Sequence, residues 1–442
     1  MTASSITPAS GASRTLSVAA LESALADAPF YQRWRNHDPG PLSHIDGRYA
    51  ALPILTKRDI RVHMPKGFIP RGRDFKTGIE SGAIELVTTS GTSDDRATIV
   101  WHQPWWDASE HAAARLHAGL DRVINGSQRE AVLATPLCAG NICHIGDLSM
   151  AERTMGRLLF LNQKPDPTHW TSGDMERMLD ELNRFAPELL EADPAYLAIL
   201  ARHAANKGIT VQAPRFISLT FEFPSRLHYR QIRRLFPLTP ILSSYGSTET
   251  GHVFTECERG HFHLNADYCR VDLQPLCARH GGPAIGRMLA TILQNPWVSL
   301  LRFDVGDLGR LAAAPCPCGR AGLTLDSIEG RTRDLTFTTD GDAVTLGAVD
   351  RRLGDIEGLL AYRIEQHDRE NYRFLFVAEP GAEATVSNES SARLAALYGT
   401  SARLTTQRES AIVAEQSGKF RLARTLFTWD PETLFEQETD RP

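Results

Sequence analysis

The chain is expected to be an α/β protein in two unequal parts, a large N-terminal domain with parallel-sheet layers and a small α+β C-terminal domain. Three observations predict this. At 442 residues the chain is too long for one ordinary core, so two or three subdomains are expected. Between residues 84 and 244 short apolar runs alternate with helical stretches, the pattern of parallel-sheet layers. After Gly330 the texture changes, with the charged connector Arg331-Thr-Arg-Asp334 leading into a shorter strand–helix series. The expected boundaries are a disordered N-terminal tip over 1–17, a first domain over 18–332 and a mobile C-terminal lid over 333–442.

Each element has its own signal. Val18, Leu21, Leu25 and Ala28 fall at helical spacing over 18–28, and Pro29 marks the stop. Ile84–Val87 is a short, partly β-branched run that enters a polar loop at Thr88. A helix is expected over 105–120, a buried strand over 131–135, helices over 174–187 and 194–206, and a strand over 215–220. Ser225–Phe236 reads as a basic amphipathic helix and Ile241–Ser244 as a strand leading into Tyr245. In the C-terminal part, Asp340-Gly-Asp342 reads as a turn. A helix over 347–357, strands near 360–366 and 372–378 and a helix near 388–398 follow.

Composition excludes several classes. The hydrophobic and charged fractions, 42% and 23%, are those of a soluble globular protein. A net charge of -5 without a basic block argues against a nucleic-acid partner. No apolar run approaches the roughly 18 residues of a spanning helix, so no membrane partner is expected. The Ser/Thr/Ala-rich start lacks a basic segment followed by a continuous apolar stretch, so a cytoplasmic location is expected. Seven cysteines, an odd number, argue against a disulfide framework.

Four segments suit one chemistry, activation of a carboxylate by ATP. A carboxylate attacking the α-phosphorus while pyrophosphate leaves needs N–H and hydroxyl donors, a divalent metal, a cation on the reacting oxygens and contacts for adenine and ribose. Thr88-Thr89-Ser90-Gly91-Thr92-Ser93 can supply phosphate donors, although it is not a Walker A loop. In Ser243-Ser-Tyr-Gly-Ser-Thr-Glu-Thr-Gly251, Tyr245 can lie flat on adenine. There Gly246 lets the backbone approach, Ser247 adjoins the nucleotide, Thr248 can donate to the α-phosphate and Glu249 can hold Mg²⁺. Asp307 suits the two ribose hydroxyls, and Lys419 in Ser417-Gly-Lys-Phe-Arg421 carries a point charge on a long stem after a flexible glycine.

These segments in this order resemble the adenylate-forming superfamily, and in detail its phenylacetate-CoA ligase-like branch. The finer likeness rests on Cys257, Gly260 and His263, on Cys316-Pro-Cys-Gly-Arg320, on Leu219-Thr-Phe-Glu-Phe-Pro-Ser225 and on Ile356–Gln366. The resemblance implies that Glu222 lies beside the nucleotide and Arg331 contacts ribose, and that Lys419, Glu249 and Thr248 are catalytic. It also implies CoA as the thiol acceptor and allows a homodimer. Cys257, His263, Cys316 and Cys318 form a Cys₃His set suited to structural Zn²⁺, with His261 as a competing ligand, and the resemblance implies zinc there too.

The chain departs from the branch in three places. Asp94 and Asp95 follow the phosphate loop, Arg333 stands where the hinge usually has Asp, with Asp334 after it, and residues 136–147 lack an aromatic-glycine run. In that stretch Asn141, Cys143 and His144 suggest a small polar or aryl acid, while His144 equally fits a core histidine bonded to the backbone. The expected function is formation of an acyl-AMP from a small carboxylic acid, then transfer to a thiol. The alternatives are transfer to an amine or a carrier-protein thiol in a biosynthetic pathway, and a degenerate nucleotide-binding scaffold.

Overall fold

Continuous apolar runs here form strands covered on both faces, and half-apolar runs form strands with one wet face. The computed structural model describes residues 11–89, 96–124, 126–137 and 144–436. A hairpin of β1 (Glu85–Thr88) and β2 (Thr98–Trp101) stands apart from the main sheet. The first half of that sheet comprises β3 (Glu130–Leu133), β4 (Thr154–Met155), β5 (Leu158–Phe160), β6 (Leu189–Ala192), β7 (Phe216–Leu219) and β8 (Ile241–Ser247). The second comprises β9 (Gly251–Glu256), β10 (Phe262–Leu264), β11 (Cys269–Pro275), β12 (Ile285–Ile292), β13 (Phe303–Leu311) and β14 (Thr324–Arg331). Hydrogen bonding runs in the order β11-β12-β13-β14-β10-β9-β8-β7-β6-β3-β5-β4.

The two halves differ in direction. β5, β3, β6, β7 and β8 are parallel, as expected from the alternation of strands and helices. From β8 through β11 every pair is antiparallel, which the strand–helix pattern did not announce. β8 therefore belongs to both halves, and its C-terminal part carries Tyr245. Every residue of β3 and β7 is buried. Helices Ser172–Phe185 and Pro194–Lys207 cover the parallel strands through Met178, Leu182, Tyr196 and Leu200 against Leu133, Leu190 and Ile217. Both helices start with local caps. Thr171 and Asp174 form a capping box, and Asp193 accepts from Ala195 N and Tyr196 N ahead of Pro194.

Two sequence expectations change at helix ends. The N-terminal helix starts at Gly11, so 11–17 is helical and not a disordered tip. Ser17 is buried and its carbonyl accepts from Tyr49 Oη at 2.9 Å, which ties that turn to the body. Residues 1–10 lie outside the described residues. The helix expected over 105–120 ends at Ala114, and a new short helix, Ala118–Asp121, starts where His117 Nδ1 accepts from Gly119 N and Leu120 N.

After Arg331 the chain makes a short turn, Thr332–Asp334, and the ribbon β15 (Thr336–Phe337) with β16 (Ala343–Val344) around the expected 340–342 turn. The C-terminal sheet contains β17 (Leu359–Gln366), β18 (Asn371–Ala378), β19 (Arg403–Arg408) and β20 (Ala423–Thr425), in the order β19-β18-β17-β20. Helices Leu346–Leu353 and Glu383–Tyr398 complete it around Tyr362, Ile364, Phe374, Val386 and Tyr398. This C-terminal part, the expected lid, docks on the basic helix Arg226–Leu235, whose Leu227 joins its core. Arg230 donates to the Ile356 and Leu359 carbonyls, and Arg202 and Gln231 both donate to that of Leu360. Arg234 of the same helix pairs with Glu379 of the C-terminal part at 2.6 Å, while Arg233 turns back to the Thr239 carbonyl.

Candidate active site

A cavity of about 290 Å³ lies beyond the C-terminal ends of β7 and β8, at the point where the sheet changes direction. Crevices at such switch points are where open α/β sheets bind ligands. Its walls are the loop from Thr220 to Pro224, Ser243–Gly246 on β8, Asp307, the Gly330–Asp334 connector, Leu346 and the lid segment around Lys419.

The nucleotide residues expected from sequence meet here. Tyr245 Oη donates to Asp307 Oδ2 at 2.9 Å. Asp307 faces Arg331 across the β13–β14 pair, with Arg331 Nε 3.6 Å from Oδ1. Burial raises the Asp307 carboxyl above its usual range, and the Arg331 charge opposes that rise. Glu222 Oε1 accepts from Phe420 N at 2.7 Å, so a body carboxylate holds the lid backbone next to Lys419. Burial drives the Glu222 carboxyl well up, the Asp193 charge adds to this, and Lys419 counters it.

Lys419 is delivered by a turn that only glycine permits. Gly418 has φ +81°, and a Cβ there would lie 2.3 Å from the Pro165 carbonyl oxygen. Tyr196 Oη donates to the Gly418 carbonyl at 2.7 Å, and Glu415 N donates to the Lys419 carbonyl at 2.7 Å. The ammonium donates to the Phe221 carbonyl at 2.9 Å. Phe221 is non-glycine at φ +72°, a strained conformation of the kind that gathers at functional sites. Sequence reasoning missed Phe221, Asp193 and Tyr196, because each reads locally as a turn, cap or core residue. Arg421 was quoted but given no task. Its Nε donates to Asp334 Oδ1 at 2.6 Å and its Nη2 to the Arg333 carbonyl, tying both expected hinge residues to the loop that carries Lys419.

Other expected residues are placed elsewhere. β8 continues through Ser247 and turns straight into β9, so Thr248 and Glu249 sit at a hairpin tip. They line a separate crevice with Trp101, His102 and Trp105 and are not walls of the cavity. Glu249 is 6% exposed and faces Lys57 Nζ at 3.4 Å. Ser247 Oγ is bonded to Thr250 Oγ1 at 2.9 Å within the turn. Gly246 lines the cavity, yet its missing side chain is required by the turn, since a Cβ would lie 2.2 Å from the Gly251 oxygen. Thr88 is exposed at the end of β1, and Thr89 Oγ1 accepts from Ala97 N at 3.0 Å. Ser90, Gly91, Thr92, Ser93, Asn141 and Cys143 lie outside the described residues. His144 is buried and stacked on Phe160, with ring centroids 4.1 Å apart, and burial lowers its pKa.

A second constellation lies beside β9, β10 and β14. Ligand atoms of Cys257, His263, Cys316 and Cys318 all fall within 4.8 Å of one another. Cys257 Sγ and Cys316 Sγ are 3.7 Å apart, and Cys318 Sγ is 3.2 Å from His263 Nε2. Two thiolates on one tetrahedral zinc at about 2.3 Å would stand roughly 3.8 Å apart, so the set fits that ion. The surroundings fit as well: Arg259 N and Arg320 N donate to the sulfurs of Cys257 and Cys318, and His263 Nδ1 meets Thr324 Oγ1 at 3.4 Å. His261 approaches Cys316 through Nδ1 at 3.5 Å but turns Nε2 toward Asp326 at 3.4 Å. Cys269 and Cys277 stand outside the set.

No family model matches the chain. In sequence it is 24% identical over 322 residues to a phenylacetate-coenzyme A ligase of Thermus thermophilus, a match spanning 70% of this chain and 66% of that relative's length. In structure it is similar to 2-hydroxyisobutyryl-CoA ligase in the postadenylation state with 2-HIB-AMP. That likeness has TM-score 0.70 and 17% identity, and covers 94% of this chain and 88% of the other. Against the same ligase with 2-HIB-AMP and CoA in the thioesterification state the TM-score is 0.54, at 18% identity and 95% and 91% coverage. An amide bond synthetase from Marinactinospora thermotolerans matches with TM-score 0.50 at 16% identity, over 80% of this chain and 70% of that one.

Proposed function

We propose, for a chain with the adenylate-forming fold that is related in sequence to a phenylacetate-coenzyme A ligase, that it activates a small carboxylic acid as its acyl-AMP and passes the acyl group to a thiol, CoA. One observation carries this reading. Lys419 of the lid stands in the same cavity as Tyr245, Asp307, Glu222 and Arg331 of the body. A carboxylate oxygen attacks the α-phosphorus of ATP, the bond to the bridging oxygen breaks, and pyrophosphate leaves with that electron pair. The ammonium of Lys419 can leave the Phe221 carbonyl for the oxygens on which charge collects, in a site where water is largely replaced by fixed dipoles. Tyr245 offers a ring face beside the base and Asp307 two acceptor oxygens for the ribose hydroxyls, with Arg331 holding that carboxylate. Glu249, expected to hold Mg²⁺, faces Lys57 outside the cavity, and no step is assigned to it.

Zinc would be held by Cys257, His263, Cys316 and Cys318, all four positions filled by the protein, so its contribution is to structure. For the acceptor, the second reading is an amine or a carrier-protein thiol. It rests on Arg333 standing where the hinge of the branch usually has Asp. The formed cavity, with a lysine and the paired Asp307–Arg331, speaks against a degenerate scaffold. Among the described residues no helix is long and apolar enough to cross a membrane. A cytoplasmic location and a homodimer remain part of the proposal. The test is pyrophosphate release from ATP with a panel of aryl and small hydroxy acids, with and without CoA. Release with a CoA-dependent thioester is expected. Release without any thioester moves the reading to the second acceptor class, and no release with any acid overturns it.

A further inference from the structure

One buried carboxylate beside the hinge joins the body to the lid. Glu329 lies on β14 next to Gly330, and its side chain is 0% exposed. From the body it accepts Arg310 Nε at 2.9 Å and Ser327 Oγ at 2.8 Å. From the lid it accepts both terminal nitrogens of Arg351, at 2.9 and 3.1 Å on its two oxygens, and the Thr345 hydroxyl. Gly347 makes the approach possible, since a Cβ there would lie 2.6 Å from Glu329 Oε2. One turn further along the same lid helix, Asp350 accepts from Arg226 N of the body at 3.0 and 3.1 Å.

A two-pronged guanidinium–carboxylate pair fixes orientation as well as distance, which a lone point charge does not. Glu329 is therefore satisfied by one lid orientation, the one in which Lys419 reaches the cavity. The comparison with 2-hydroxyisobutyryl-CoA ligase points the same way, because the likeness is stronger to its postadenylation state than to its thioesterification state. Glu329 is not among the residues lining the cavity, whereas its neighbours Gly330 and Leu346 are.

We propose that Glu329, through Arg351 and Thr345, is the positioning group that holds the lid in the acyl-AMP-forming pose and sets how readily the chain leaves it for acyl transfer. This rests on the adenylation reading of the cavity. Turning the lid breaks the three lid-donated bonds together, while Arg310 and Ser327 stay with the carboxylate. These bonds break as a group, a directional contact added to the broader packing of the lid on helix Arg226–Leu235.

The test uses the full chain without substrates first. In Glu329→Gln, hydrogen–deuterium exchange of helix Leu346–Leu353 and of residues 415–422 should quicken roughly tenfold or more, while β6 and β7 keep wild-type rates. With whichever panel acid gives pyrophosphate release, the variant should lose rate in that step. Transfer from the matching preformed acyl-adenylate should be unchanged or faster. A merely structural role would lower both steps together. Arg351→Lys keeps the charge and loses the fork, and should move both readouts the same way by less, which serves if Glu329→Gln does not fold. Wild-type exchange in both segments, or an equal fall in both half-reactions, overturns the proposal. If wild type releases no pyrophosphate with any acid, the adenylation reading fails, and the exchange rates still decide whether Glu329 holds the lid.

Discussion

Gly418 and Lys419 act as one unit, since the position of the ammonium depends on a backbone turn packed against Pro165, Thr135 and Tyr196. Lys419→Ala should lower pyrophosphate release by about 10²–10³-fold, the cost of removing one preorganised group from a developing charge. Gly418→Ala should cost a comparable factor with the lysine intact, because the turn has no room for a Cβ. Single-turnover pyrophosphate release measures both, and a Gly418→Ala enzyme with wild-type rates would break the link between turn and function. That Lys419, Tyr245 and Asp307 share a cavity was legible from short motifs of distinctive chemistry, whereas Glu222 and Arg331 were added by the family resemblance. Thr248 and Glu249 carry an equally distinctive motif, yet a strand three residues longer than expected places them at a hairpin tip. Their partner Lys57 is remote in sequence, and nothing local could have announced the pair.

Among the elements, the parallel strands were the most legible, since two-sided burial writes them as near-continuous apolar runs. The antiparallel strands β9–β14 were not placed from the pattern, because many of their residues are half-buried and their partners are set by turns and long-range pairing. What the sequence did reveal there was the Cys/His set, whose spacing survives any uncertainty about strands. We expect about one zinc per chain by elemental analysis. Cys316→Ser should lose that zinc and lower the melting temperature, whereas Cys269→Ser, outside the set, should keep it. Zinc retained in Cys316→Ser, or absent from the wild type, would remove the ion from the account.

For the whole molecule, stability should depend on pH through the lid contact. Burial alone would raise the Glu329 carboxyl, but the bonds from Arg351, Thr345 and Arg310 outweigh it and hold the group at about 2 against an ordinary 4.5. A depressed folded-state pKa stabilises above the unfolded value, and the gain is lost as pH falls from about 4.5 toward 2. The shift corresponds to roughly 3 kcal/mol at neutral pH. Asp193, pushed up to about 7 by burial, has the opposite sign: its contribution is present at low pH and lost as pH rises through 7. The destabilisation caused by Glu329→Gln should therefore be largest near neutrality and shrink below about pH 4.5, as read from chemical denaturation at a series of pH values. A constant difference across that range would exclude Glu329 as the titrating contact.

The lid supplies part of the cavity wall, so the pose proposed for the first chemical step also narrows the way to the nucleotide site. On the proposed function, entry of ATP and exit of pyrophosphate pass the same lid, and the clasp acts on the rates of those passages. Because the reacting complex is itself closed, a tighter Glu329–Arg351 clasp is shared by the free and the bound closed states, so it slows passage without weakening equilibrium binding. How firmly the lid is held would in this sense set how fast the chain loads and unloads its nucleotide.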